Sequence, residues 1–149
     1  MRDLALILHV VAGALAILLG VPAVAVTLRR RRLNWVGEAY HWTVAVACLS
    51  ALVMVPYDWK RLWFFWPVAV ATYLFVYLGQ RAAESPGGLW YRGVLRGYGG
   101  AWLALWTGIM ITSVPSHPWS WLIPIVLGTA VIEWLCFHRK GHAADLSSG

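Results

Sequence analysis

The sequence predicts an all-α fold, a polytopic membrane bundle of about five transmembrane helices with the amino terminus outside and the carboxyl terminus in the cytoplasm. Hydrophobic residues make up 60% of the 149 residues and charged residues 12%, and the mean hydropathy is +0.66. Only about half of the residues in soluble domains are apolar. The larger apolar share of this chain therefore predicts that lipid is the solvent of its apolar side chains. Five apolar runs approach the roughly 20 residues that a helix needs to cross about 30 Å of hydrocarbon.

The five runs are residues 4–28, 36–55, 62–79, 95–114 and 119–137. The first is longer than the apolar region of a signal peptide and lacks a cleavage site, so we expect it to remain in the mature protein. Residues 57–61, before the third run, are too polar for hydrocarbon and predict a loop with aromatic side chains at the membrane interface. Residues 1–138 form one predicted transmembrane domain, and residues 139–149 form a polar cytoplasmic tail, predicted to be partly disordered.

Basic residues in the connections predict the orientation, because cytoplasmic loops of membrane proteins are enriched in Lys and Arg. With the amino terminus outside, nine of the 12 basic residues are cytoplasmic and three are external. The cytoplasmic residues are Arg29, Arg30, Arg31, Arg32, Arg81, Arg92, Arg96, Arg139 and Lys140, and the external ones are Arg2, Lys60 and Arg61. This imbalance predicts a multi-pass protein of the bacterial inner (cytoplasmic) membrane.

The positive charge indicates lipid as a partner and argues against nucleic acid. The net charge is +6, but the basic residues lie between apolar runs, where orientation and anionic headgroups explain them. The run Arg29, Arg30, Arg31 and Arg32 follows the first helix directly. We interpret it as a stop and orientation signal that also binds anionic lipids, worth about 1 kcal/mol per basic residue.

A stripe of small residues runs along the fourth predicted helix at steps of three and four residues. Its members are Gly93, Gly97, Gly100, Ala104 and Gly108. Membrane helices associate through close packing of small residues, so the stripe predicts either packing within the bundle or a docking face for a partner subunit or a flat cofactor. The first helix carries a shorter stripe of the same kind, formed by Gly13, Ala16, Gly20 and Ala23.

Ionisable residues inside predicted spans are costly and indicate either structural pairing or function. The proposed topology places four of them in the inner leaflet: Glu38, His41, Arg96 and Glu133. Glu38 and His41 share one helix face, and Arg96 and Glu133 are suited to an ion pair between helices. The two interpretations are a buried salt-bridge cluster that fixes helix register and a site for a headgroup, quinone or haem propionate.

Two histidines within predicted helices, His9 and His41, suggest haem b as a cofactor, because imidazoles at one depth can ligate a haem iron from both sides. His9 matches the depth of His117 near the outer face, and His41 matches His138 near the inner face. A membrane histidine is more often a hydrogen-bonded structural residue or interfacial anchor, and that interpretation stays open beside the haem one.

Recognisable catalytic motifs are absent from the sequence. It contains no phosphate-binding loop, zinc-protease helix or serine elbow. Glu38 and His41 have the Glu-x-x-His spacing of di-iron bundles, but the second such motif that those sites need is missing. The sequence therefore predicts no catalytic residues and no metal site, and it favours a protein that is not an enzyme.

Several short motifs lie in the amino-terminal half: His9-Val10-Val11-Ala12-Gly13, then Leu19-Gly20-Val21-Pro22, a basic loop, and residues 33–40. Through these motifs the amino-terminal half resembles a family of small bacterial predicted membrane proteins of unknown function. Gly37 and Tyr40 match the family's spacing, whereas Asn34 and Trp35 replace its His-Arg pair. The resemblance covers about 55 residues and implies the same membrane topology without implying a reaction.

Three functions follow as hypotheses. The first is an accessory or structural subunit of a larger inner-membrane assembly, such as a redox or photosynthetic one, with membrane lipids and other membrane subunits or further copies as partners. The second is a small b-type cytochrome or quinone-interacting redox protein that uses His9 or His41. The third is a small-molecule or ion carrier that acts as an oligomer.

Overall fold

The computed structural model describes residues 2–30, 34–63, 65–85, 87, 89–113 and 119–145, and every regular element within them is helical. The elements are α1 (Arg2–Arg30), α2 (Trp35–Met54), a 3-10 helix (Val55–Asp58), α3 (Trp59–Leu62), α4 (Phe65–Glu84), α5 (Trp90–Ser113) and α6 (Trp119–Asp145). The prediction of an all-α fold is confirmed. The long helices α1, α2, α4, α5 and α6 correspond in order to the five apolar runs.

Among the described residues, two stretches are long and apolar enough to cross a membrane by length and composition, namely Asp3–Arg30 and Trp35–Asp58. A shorter apolar helical stretch covers Leu122–His138. Two helices extend beyond their apolar runs. Helix α5 begins at Trp90, ahead of the run that starts at residue 95, and α6 continues past residue 137 to Asp145. The predicted loop at residues 57–61 is also helical, since the 3-10 helix and α3 span it.

Four helices pack in a ring, each against the next: α1 against α2, α2 against α4, α4 against α5, and α5 against α1. Three of these pairs, α1–α2, α2–α4 and α4–α5, join long helices that follow one another in the chain, which is typical of antiparallel neighbours in a bundle. Helix α6 lies outside the ring and packs mainly against α5. The ring therefore has an interior that all four of its helices share, and α6 contributes little to it.

One end of the ring is filled by two tyrosines, and we call it the tyrosine half. Tyr40 and Tyr98 are fully buried, their rings meet edge to face at 5.3 Å, and the Tyr40 hydroxyl donates to the Tyr98 carbonyl over 3.1 Å. Beside them, α4 and α5 approach so closely that a methyl group at Gly97 would overlap the Gly79 backbone. Small residues here allow close backbone contact between the two helices.

Asn34 fixes the start of α2 and joins it to α1. Its side-chain oxygen accepts hydrogen bonds from the backbone N–H groups of Val36 at 3.0 Å and Gly37 at 3.2 Å, which is the role of an N-cap residue. Its amide nitrogen donates to the buried Thr27 hydroxyl over 3.1 Å. Asn34 therefore sets the angle at which the chain enters the ring's second helix.

Candidate functional site

The opposite end of the ring, which holds His9, contains a cavity of about 560 Å³. We call this end the cavity half. Helices α1, α2, α4 and α5 all contribute to the wall, each with the portion that lies away from the tyrosine pair. The volume falls within the range of about 300–1,000 Å³ that is usual for sites that bind small molecules. In the predicted topology this half lies in the outer leaflet.

The wall is almost entirely apolar because small and aliphatic side chains cover it. From α1 and α2 it takes Val10, Gly13, Ala14, Ile17, Leu18, Ala47 and Ala51, and from α4 and α5 it takes Phe65, Val68, Ala69, Ala104, Leu105, Gly108 and Ile109. Three side chains with polar or ionisable groups complete it: His9, Cys48 and Thr72. Both rim residues Val10 and Leu18 are exposed, so the cavity opens to the side of the bundle.

The half-buried His9 is held by α2 through one edge of its imidazole. Its Nδ1 lies 2.9 Å from the Ala47 carbonyl oxygen and 3.4 Å from the Ser50 hydroxyl. Ser50 itself lies 2.8 Å from the Val46 carbonyl and 2.9 Å from the Ala47 carbonyl, as a donor. This arrangement anchors the ring against the cavity wall, while no described residue hydrogen bonds to Nε2.

His41 lies elsewhere, and the two haem candidates do not share a site. Its ring is buried and contacts Trp42 and Tyr73 at centroid distances of 5.7 Å, and its Nδ1 has no hydrogen-bond partner among the described residues. It is absent from the cavity wall, where His9 stands as the one histidine among the described residues. His138 is exposed and packs on Trp134, and His117 lies outside the described residues.

The four inner-leaflet residues do not form one buried cluster. Arg96 on α5 pairs with Glu133 on α6 through two hydrogen bonds, of 2.8 Å and 2.7 Å, but both side chains are about half exposed. Glu38 is also exposed, and neither it nor His41 is hydrogen-bonded to this pair in the described part of the chain. The expectation of a buried salt-bridge cluster is wrong because α6 lies outside the ring, which leaves its ion pair at the periphery.

The small-residue stripe of α5 divides between two environments. Gly93, Gly97 and Gly100 face Ala82, Gly79 and Phe75 of α4 in the same chain. Ala104 and Gly108 instead line the cavity, and a methyl group at Gly108 would meet no neighbouring atom of the described residues within 4 Å. On α1, Gly20 packs under Trp102, whose indole N–H donates to the Ile17 carbonyl over 3.0 Å.

The predicted lipid-binding arginine run lies at the end of α1 that is farther from the cavity. Arg29 and Arg30 are exposed in the last turn of that helix, Arg31 and Arg32 lie outside the described residues, and the binding of anionic lipids by this run stays a prediction. No group of three or more His, Cys, Asp or Glu side chains suited to a metal ion occurs in the part of the chain that the structure describes.

No protein-family model, curated protein or solved structure matches this chain. The resemblance of its first 55 residues to a family of small bacterial membrane proteins therefore stays a prediction. His9 was predictable as a candidate from the sequence. Ser50, which lies beside it, and Cys48 and Thr72, which share its cavity, were not. A polar residue at helical spacing within an apolar run is their only signal, and it does not reveal which face of the helix meets the ring's interior.

Proposed function

We propose that this chain is a multi-pass protein of the bacterial inner membrane with five spans, an external amino terminus and a cytoplasmic carboxyl terminus. The distribution of basic residues supports this topology. Large apolar side chains project outward from all five long helices, among them Leu18, Leu49, Leu78, Ile109 and Phe137. So many exposed large apolar side chains, distributed over all five long helices, suit contact with lipid.

Reporter fusions test the topology directly. Alkaline phosphatase joined after Asp58 should be active because that segment is external, and green fluorescent protein joined after Ser85 should be fluorescent because that segment is cytoplasmic. The reverse pattern at both positions would overturn the orientation.

Within this topology, the protein binds an apolar molecule that it takes from the lipid phase into the cavity. The single observation that carries this function is the cavity itself, of about 560 Å³, formed between four helices and lined by apolar groups around His9. A large apolar cavity with few polar groups is the usual form of a small-molecule site. Its exposed rim residues Val10 and Leu18 give a membrane-soluble molecule a lateral route of entry.

Filling the cavity tests this function. Gly13 and Gly108 line it, and each has open space where a side chain would begin. The double variant Gly13→Leu/Gly108→Leu should keep the fold but displace the ligand. The measurement is mass spectrometry of small molecules extracted from protein that has been purified gently from its native membrane, and we expect at least a tenfold loss of one apolar component.

Leu78→Phe is the matched control, because it enlarges an exposed side chain that does not line the cavity. The control should retain the wild-type extract. An extract unchanged by the double variant would show that the cavity is not the binding site.

A second candidate, an accessory subunit of a larger membrane assembly, is favoured by α6. This helix packs mainly against α5 and leaves Val126, Trp134 and Phe137 exposed. A photo-crosslinking amino acid at Phe137 should give a discrete protein adduct in native membranes if α6 docks on a partner, whereas lipid adducts alone would exclude this role. Gly97 and Gly100 cannot serve in such a test, since they face α4 of the same chain.

A further inference from the structure

We infer that the cavity selects a hydroxyl-bearing apolar molecule whose O–H group donates a hydrogen bond to Nε2 of His9. This inference rests on the proposed function and names the chemical class of its ligand. It follows from where the protons of the cavity's polar side chains lie, which the hydrogen-bond partners of His9, Ser50 and Thr72 determine.

The hydrogen-bond partners of the His9 ring show which of its two nitrogen atoms carries the proton. The Ala47 carbonyl, 2.9 Å from Nδ1, can only accept a hydrogen bond. The Ser50 hydroxyl has a single proton, which the carbonyls of Val46 and Ala47 compete for at 2.8 Å and 2.9 Å, so toward Nδ1, at 3.4 Å, it offers an acceptor. Two acceptors on one side place the proton on Nδ1, and a neutral imidazole protonated there has its lone pair on Nε2.

Thr72 and Cys48 are the other polar side chains of the cavity wall. The Thr72 hydroxyl donates its only proton to the Val68 carbonyl of its own helix over 2.7 Å, so it too offers lone pairs to the cavity. Cys48 adds a thiol, which is a weak donor. His9 and Thr72, the stronger polar side chains of the wall, therefore both present acceptors.

A ligand that complements these acceptors must bring its own donor. A quinol or an isoprenoid alcohol does so through a hydroxyl group on an apolar body. A quinone, ether or ester brings acceptors alone, and these would face the lone pairs of Nε2 without a proton between them. The shared chemistry is the hydroxyl donor, and a site built around a hydrogen bond discriminates against analogues that cannot make it.

Two probes that differ only at this group test the inference. 4-Decylphenol carries the donor, and 4-decylanisole replaces its proton with a methyl group. We expect the purified full-length protein to bind the phenol about fivefold to tenfold more tightly, the effect of one net hydrogen bond, as measured by titration calorimetry in mild detergent. Farnesol and a short-chain ubiquinol, compared next, distinguish alcohol from quinol as the source of the hydroxyl.

His9→Asn is the matched variant. An asparagine amide N–H reaches the position of Nδ1 and can still donate to Ala47, but asparagine has no atom at the position of Nε2. The variant should bind both probes with the weaker affinity that the anisole shows, and Leu78→Phe should keep the wild-type preference. If the variant fails to fold, nitrogen NMR of ¹⁵N-histidine-labelled wild type replaces it, because a hydroxyl donor must shift one unprotonated Nε2 resonance and the anisole must not.

The outcomes separate the two proposals. Equal binding of both probes by the wild-type protein, or an anisole preference, would overturn the hydroxyl inference and leave the cavity as a binding site. Failure of both probes to bind would overturn the proposed function with it. A visible haem band that His9→Asn removes would assign Nε2 to iron and likewise overturn the inference.

Discussion

Small residues line both ends of the ring, but they have opposite effects on the packing of the helices. In the tyrosine half, Gly79 and Gly97 bring α4 and α5 into backbone contact, and Tyr40 and Tyr98 fill the interior. In the cavity half, small residues again line the ring, but the side chains of the described residues leave a cavity of about 560 Å³ between them. At Gly13, for example, no neighbouring side chain and no other helix of the described residues lies within 4 Å of the position where a side chain would begin.

This difference shows that a stripe of small residues does not by itself decide what a helix face does. The partner helix decides it. Where the facing helix offers another glycine, the backbones close together and the interior is dense. Where the facing positions are small but the helices stay apart, the same stripe leaves room for a ligand. The α5 stripe contains both cases, with Gly97 in the first and Gly108 in the second.

The largest predicted effect is a loss of stability from a substitution in the tyrosine half. Gly97→Ala adds one methyl group that would overlap the Gly79 backbone, and because backbone atoms cannot move aside as a flexible side chain can, we expect a loss of about 2–3 kcal/mol in the free energy of unfolding. Titration of SDS into mixed micelles measures it. Unchanged stability would mean that α4 and α5 are not in backbone contact.

A smaller effect follows from the buried tyrosine pair. Tyr40→Phe removes the hydrogen bond to the Tyr98 carbonyl and should lower the free energy of unfolding by about 1–1.5 kcal/mol. Tyr98→Phe is the control, because the Tyr98 hydroxyl is buried without a hydrogen-bond partner in the described residues, so its removal should cost nothing measurable. Equal losses from both variants in the same titration would contradict the assignment.

The entrance to α2 gives a third prediction, also at the tyrosine end. Asn34→Ala removes the N-cap hydrogen bonds to Val36 and Gly37 and should cost about 1 kcal/mol. Asn34→Asp keeps the capping oxygen but loses the amide that donates to Thr27. If capping is the dominant contribution, thermal unfolding should rank wild type and Asn34→Asp above Asn34→Ala.

The smallest predicted effect has the opposite sign and sharpens the comparison. Gly13→Ala places a methyl group in open space, and alanine is favoured over glycine within a helix by about 0.5–1 kcal/mol. We therefore expect a slight gain in the same SDS titration that detects the loss from Gly97→Ala. A loss at both positions would mean that the cavity half is as tightly packed as the tyrosine half.

Part of the site was predictable from sequence for a simple reason. His9 and Arg96 stood out because ionisable groups are rare inside apolar runs, and matching Arg96 with Glu133 in depth was enough to suggest their ion pair. Their exposure was not predictable, since it depends on α6 lying outside the ring. The contact between His9 and Ala47 was equally hidden, because it depends on the register of α1 against α2.

The sequence by itself located the five long helices, though not their ends or the helical turns at residues 57–61, because apolar runs of this length, interrupted by charge and Pro or Gly, specify where a chain can be helical and apolar on most sides. It also determined which residues were too polar for their surroundings. Only the tertiary structure decided which stripes close and which stay open, because that depends on pairs of helix faces distant in the chain. The cavity exists at that level alone, since residues of α1, α2, α4 and α5 form its wall together.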